Sequence, residues 1–144
     1  MVWRRNLLGA ACIFIIGSLI VWSLSGADRQ ARVERRFHED REELTQTAEQ
    51  VLAGQTVEPP AGWLGVSRFD DVVCFDYGGW GLGPSTRYCG VNYVTDDWLV
   101  GFQGTSMEGA VPKGDGWLWE QAEGDNCCYV ERLAPCWYYF EAEF

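Results

Sequence analysis

Histidine and lysine are almost absent from this chain of 144 residues: His38 is the only histidine and Lys113 the only lysine. The first scarcity removes the commonest general base and the commonest metal ligand from everything beyond residue 38. His38 itself sits in a run of charges and reads as solvent-facing. There is also no CxxC pair, so a zinc site has no ligand set, and no metal or cofactor is expected. The second scarcity bears on partners. With 21 acids against 11 bases and a formal net charge of −10, residues 55–144 offer only Arg68, Arg87, Lys113 and Arg132 as cations. Binding a nucleic acid requires a basic surface that releases phosphate counterions, so nucleic acid is excluded as a main partner.

One stretch lacks charge altogether. Residues 7–24 (LLGAACIFIIGSLIVWSL) follow Arg4 and Arg5 and are flanked by Trp3 and Trp22. As a helix they reach about 27 Å, close to a hydrocarbon core of roughly 30 Å. Residues 1–27 are therefore expected to be a single-pass anchor in the lipid bilayer. A cleaved signal peptide is the competing reading, since Ser25-Gly26-Ala27 has the form of a processing site, but signal h-regions run only about 7–15 residues. Cys12 reads as a small membrane-helix residue. Arg29, Arg32, Arg35 and Arg36 follow the span and slightly favour a cytoplasmic body by the positive-inside rule. Against this, five cysteines in a short body read as an oxidising compartment. On that ground the C-terminal part is expected to be extracytoplasmic, the alternative being a cytoplasm-facing protein with free thiols.

Residues 28–54 lack proline, are rich in helix formers and end at Gly54, predicting a helical stalk. Val33, Phe37, Leu44, Ala48 and Val51 fall on one stripe, which either rests on the following body or forms a weak homodimer seam. Residues 55–61, with Pro59 and Pro60, read as a stiff linker.

The period changes to two from residue 62, where six of the eight Trp, all six Tyr, five of the seven Phe and five of the six Cys are concentrated. Aromatics at this density predict a mainly β domain over 62–144, a small antiparallel sheet or sandwich-like body. Strands are expected at Val72–Phe75 with Tyr77, Tyr88–Thr95, Trp98–Gln103, Trp117–Glu120, Cys127–Leu133 and Cys136–Phe144. Asp96-Asp97 reads as a tight hairpin, and Gly114-Asp115-Gly116 and Gly124-Asp125-Asn126 as turns. In the last strand Tyr138, Phe140, Ala142 and Phe144 share an uncharged face and are the expected core, opposite Trp137, Tyr139, Glu141 and Glu143. That strand is expected to lie inside the sheet.

A body this small has a marginal core, and each disulfide would contribute roughly 2–4 kcal/mol. The expected pairs are Cys74–Cys89 and either Cys127 or Cys128 with Cys136, because adjacent cysteines point to opposite faces of a strand. Connectivity itself is not deducible from spacing.

The motifs carry little chemistry. Gly78-Gly79-Trp80-Gly81-Leu82-Gly83-Pro84-Ser85 lacks the Gly-Lys-Ser/Thr ending of a phosphate loop and reads as a flexible loop tipped by Trp80. Asp70-Asp71 and Asp96-Asp97 suit turns better than paired-carboxylate hydrolysis, and Asp115, Glu123, Asp125 and Asn126 lack calcium-loop spacing. Gly81-x-Gly83-x-Ser85-Thr86-x-Tyr88-x-Gly90-x-x-Tyr93, with Gly124-Asp125-Asn126-x-x-Tyr129-x-Glu131 and Trp137-Tyr138-Tyr139-x-Glu141-x-x-Phe144, resembles a pattern in small bacterial membrane-anchored proteins. These share one N-terminal hydrophobic segment and a Trp/Tyr-rich β body of no assigned function, and the resemblance implies no catalytic residue. The functional expectation is a binding or interaction module at the cell envelope, with Trp80, Trp117 or Trp119 stacking on a glycan or protein partner. An envelope hydrolase using scattered carboxylates is the alternative.

Overall fold

The computed structural model describes residues 28–81 and 85–144. Helix α1 (Trp3–Leu52) precedes seven strands: β1 (Gly65–Phe69), β2 (Val72–Leu82), β3 (Ser85–Val94), β4 (Val111–Lys113), β5 (Gly116–Glu120), β6 (Cys127–Ala134) and β7 (Trp137–Glu143). All strand pairings are antiparallel, and they make one sheet in the order β1-β2-β3-β7-β6-β5-β4. The protein is thus mainly β, as a single sheet rather than a sandwich. The expected anchor, residues 7–24, lies outside the described residues. Among those described, no helix is long and apolar enough to cross a membrane.

Two compact units divide the chain, Met1–Arg32 and Val33–Phe144. In the first, Arg32 pairs with Asp28 at 2.7 Å. The second contains the rest of α1 together with the whole sheet. Val33, Phe37, Leu44 and Ala48 are fully buried, in one cluster with Trp63, Val73, Phe75, Cys89, Val91, Trp137 and Tyr139. The apolar stripe therefore rests on the sheet, and the surface that a homodimer seam would need is occupied within the chain. Phe37 meets the Trp137 ring at 5.2 Å. Residues 55–61 are likewise pinned to the helix: Arg36 donates to the Ala61 carbonyl at 2.5 Å, and the Trp63 indole donates to Asp40 at 2.9 Å.

β7 sits at the centre and is buried on both faces. Trp137 and Tyr139 face the helix, while Tyr138, Phe140 and Ala142 enter a second cluster with Val72, Cys74, Val94, Met107, Cys128 and Val130. The uncharged face is core, as expected, but so is the face that carries Glu141 and Glu143, because a helix covers its first half. Phe144 is half-exposed. Over the second face runs the segment between β3 and β4. Trp98–Gln103 is not a strand; its only ladder contact is the Val100–Ser106 bridge, and a tight turn occupies Phe102–Gly104. Residue alternation there is shared by a loop laid over a core, which is why periodicity misled.

The glycine-rich stretch also differs from expectation. β2 continues through it to Leu82, pairing Gly79 with Tyr88 and Trp80 with Arg87, after a bulge between Asp76 and Gly78. At Gly90 a β-carbon would lie 2.0 Å from the Phe75 carbonyl oxygen and 3.0 Å from the Phe140 ring, so β2 and the central strand close on β3 only because no side chain is present.

Two outcomes follow. Phe37→Ala is expected to cost about 3–5 kcal/mol in chemical denaturation, whereas Glu39→Ala, on the exposed face of the helix, should change stability by less than about 0.5 kcal/mol. A chain ending at Tyr139, lacking fully buried Phe140 and Ala142, should give no soluble folded body in a solubility and circular-dichroism comparison.

Candidate functional site

Register places Trp119, Cys128, Ala142 and Tyr88 in one row across β5, β6, β7 and β3, on the face opposite the helix. Alanine and cysteine are small, so the row has low ground between two large rings. Tyr88 lies nearly parallel to Phe102, with centroids 5.2 Å apart at 12°, and Phe144 stands 5.4 Å from Phe102 and 6.4 Å from Tyr88. Phe102 is supplied by the covering turn and is anchored beneath by Phe140 at 5.4 Å. Tyr88 and Phe144 remain 36% and 39% exposed, so the group is open to solvent. Next to Tyr88, Gly79 brings only backbone: a β-carbon there would touch the Tyr88 ring at 3.4 Å, so the missing side chain leaves that flank of the ring open.

The three tryptophans expected to contact a ligand separate. Trp80 is half-buried and packs against the helix-side cluster. Trp117 and Trp119 are half-buried against the second cluster, and only Trp119 lies in the row of Tyr88. Trp98, 70% exposed, is the most open tryptophan described. Tyr88, Phe102 and Phe144 escaped the sequence reading because they lie far apart in the chain; the pairing of Phe144 with Thr86, two backbone hydrogen bonds of 3.0 Å, is what gathers two of them.

The expected disulfides do not form. No disulfide joins Cys74, Cys89, Cys127, Cys128 or Cys136. Cys74 lies in the loop-side cluster and Cys89 in the helix-side cluster, so the sheet separates them. Cys128 pairs in register with Ala142, whereas Cys136 sits in the turn between β6 and β7. Six residues of strand set Cys128 about 20 Å from that turn, well beyond the reach of a disulfide.

The carboxylates mostly complete local bonds. Tyr129 donates to Glu131 at 2.7 Å, Tyr139 donates to Glu141 at 3.0 Å, and Arg87 pairs with Glu143 at 2.6 Å. Among the described residues no three His, Cys, Asp or Glu side chains converge on a metal position.

Asp97 is a latch rather than a hairpin residue. It adopts φ 59°, pairs with Arg132, accepts the Cys136 amide at 2.8 Å, and takes the Tyr138 hydroxyl on its carbonyl at 2.7 Å. Arg132, then the Cys136 amide, hold its carboxyl below the usual range. Asp76 goes the other way, pushed up by burial. A depressed carboxyl stabilises the fold above its unfolded value, near pH 4, and that contribution disappears as pH falls through the folded value; a raised one has the opposite sign. Asp97→Asn should therefore lower the melting temperature at pH 7, with the gap to wild type narrowing as pH falls below the unfolded carboxyl value and through the lower folded one. Asp76→Asn should be neutral or stabilising at pH 7. Thermal melts across pH check both.

No protein-family model matches the chain, and neither does any curated protein or solved structure.

Proposed function

We propose that this protein is a single-pass membrane-anchored binding module of the cell envelope, with residues 7–24 in the bilayer and the β body outside the cytoplasm. It takes neutral glycan chains on the rings of Tyr88, Phe102 and Phe144. The observation that carries the reading is the partly exposed group of these rings, Tyr88 stacked on Phe102 with Phe144 tilted against both, since solvent-open aromatic groups gathered on a rigid sheet mark interaction surfaces. A pyranose offers an apolar face to such rings. The net charge of −10 disfavours anionic polymers as ligands. The resemblance to small bacterial proteins with one hydrophobic segment and a Trp/Tyr-rich β body agrees with an anchored role.

A second reading, with the body facing the cytoplasm, is favoured by one observation: none of the body's five cysteines is in a disulfide. Without disulfides the compartment argument loses its force, and the arginines at 29, 32, 35 and 36 then weigh towards the inside. Labelling of half-buried Cys136 by a membrane-impermeant maleimide in intact cells supports the envelope reading; labelling only after lysis rejects it.

Binding is tested by titrating full-length protein in nanodiscs with chitotetraose, a neutral glycan, and following tryptophan fluorescence. Tyr88→Ala should weaken binding roughly tenfold. Gly79→Val, which places a side chain against the ring at ordinary contact distance, should weaken it while preserving the fold. Trp80→Ala, on the other face, should leave it unchanged. No response to the glycan, or equal loss in all three variants, would overturn the assignment.

A further inference from the structure

One row of the sheet, at the end of the strands, brings uncharged polar side chains against the exposed rings. Phe144 exchanges two backbone hydrogen bonds of 3.0 Å with Thr86, and the Gln121 backbone N–H donates to the Asn126 carbonyl at 2.9 Å. Each contact continues a ladder by one residue, since Arg87 faces Glu143 and Glu120 faces Cys127. Cys127 also faces Glu143, so the same step sets Asn126 opposite Phe144. The row from β5 to β3 is therefore Gln121, Asn126, Phe144 and Thr86. Phe144 meets Phe102 and Tyr88, which puts the row on the loop side of the sheet. Alternation agrees, because Asn126 lies two residues before Cys128 of the loop-side cluster.

Asn126 and Phe144 form a pair of the closer kind. Phe144 turns its N–H and C=O to Thr86, and Asn126 turns its carbonyl to Gln121, so these groups point away from each other. In such a non-hydrogen-bonded pair the Cα atoms are about 4.5 Å apart and the side chains touch. Asn126 is half-buried and Gln121 exposed. The Gln121 side chain lies on the turn backbone, where a β-carbon at Gly124 would come within 2.6 Å of its Oε1. Trp119 stands diagonally across from Asn126, about 7–8 Å away. The row carries no charge. Arg87, next to Thr86, points to the opposite face and pairs there with Glu143 at 2.6 Å.

We propose that Asn126, with Gln121 beside it, makes the ring group selective for glycans built of 2-acetamido sugars, an inference that rests on the glycan reading above.

A side-chain amide presents a donor and an acceptor side by side. An acetamido group presents the complement, followed by a methyl. An amide held against an aromatic ring suits both ends, pairing with the polar part while Phe144 receives the methyl. A sugar with a hydroxyl at that carbon lacks the methyl and leaves the ring contact unmade. A carboxylated sugar finds no cation in the row and meets Glu123 and Asp125 in the adjoining turn.

The test is isothermal titration calorimetry of full-length protein in nanodiscs with chitotetraose and with cellotetraose, which carries hydroxyls in place of the acetamido groups. Wild type should bind chitotetraose at least about tenfold more tightly. Asn126→Ala should weaken chitotetraose to the cellotetraose level and leave cellotetraose unchanged. Asn126→Asp keeps the shape but loses the donor, and should erase the preference in the same way even where the alanine variant folds poorly. Gln121→Ala should weaken chitotetraose by about threefold. Tyr88→Ala should weaken both glycans, and Cys127→Ser, on the other face, neither. Equal affinity of wild type for the two glycans, or a preference that survives in both Asn126 variants, would overturn the selectivity and leave the ring site standing. Binding of neither glycan would remove both.

Discussion

A central strand that is apolar on both faces cannot be left uncovered on either, and β7 imposes that requirement on the whole body. Its four buried rings and Ala142 alternate between two clusters, and each cluster needs a lid. Helix α1 covers one side through Phe37 on Trp137. The long β3–β4 connection covers the other through Phe102 and Met107. A single sheet of this size exposes too much apolar surface to be stable without both.

The two lids are held differently. The helix is a continuous apolar stripe and adheres mainly by burial, with Arg36, Asp40 and Trp63 orienting it. The loop is irregular and depends on polar latches. Asp97 ties its start to the β6–β7 turn, and Asn92 holds the Gly101 carbonyl from below. Backbone polar groups lying over a core require such partners. The same loop brings Phe102 to the surface rings.

Much of the fold was legible. Period-two alternation located β2, β3, β5, β6 and β7, and the glycine turns before β5 and β6 were visible as dipeptides. β1 and β4 were missed because each is short and lies at an edge, where Ser67, Arg68 and Pro112 dilute the pattern. Trp98–Gln103 was misread because apolar residues that cover a core need no strand to do so. Trp80 was misplaced because glycine weakens strand propensity without abolishing pairing when the neighbour across the ladder is already fixed.

Composition and periodicity alone determined the mainly β class, the acidic surface, the scarcity of catalytic groups and the apolar stripe of residues 33–51. These depend on neighbours in sequence or on totals, and neither changes on folding. Strand order, by contrast, was decided only in three dimensions. It set Cys74 and Cys89 on opposite sides of the sheet, brought Phe144 beside Tyr88, and gathered Cys128, Met107 and Asn92 around Gly101. Residues that far apart in the chain meet only through register, and register is settled by which faces must be buried together.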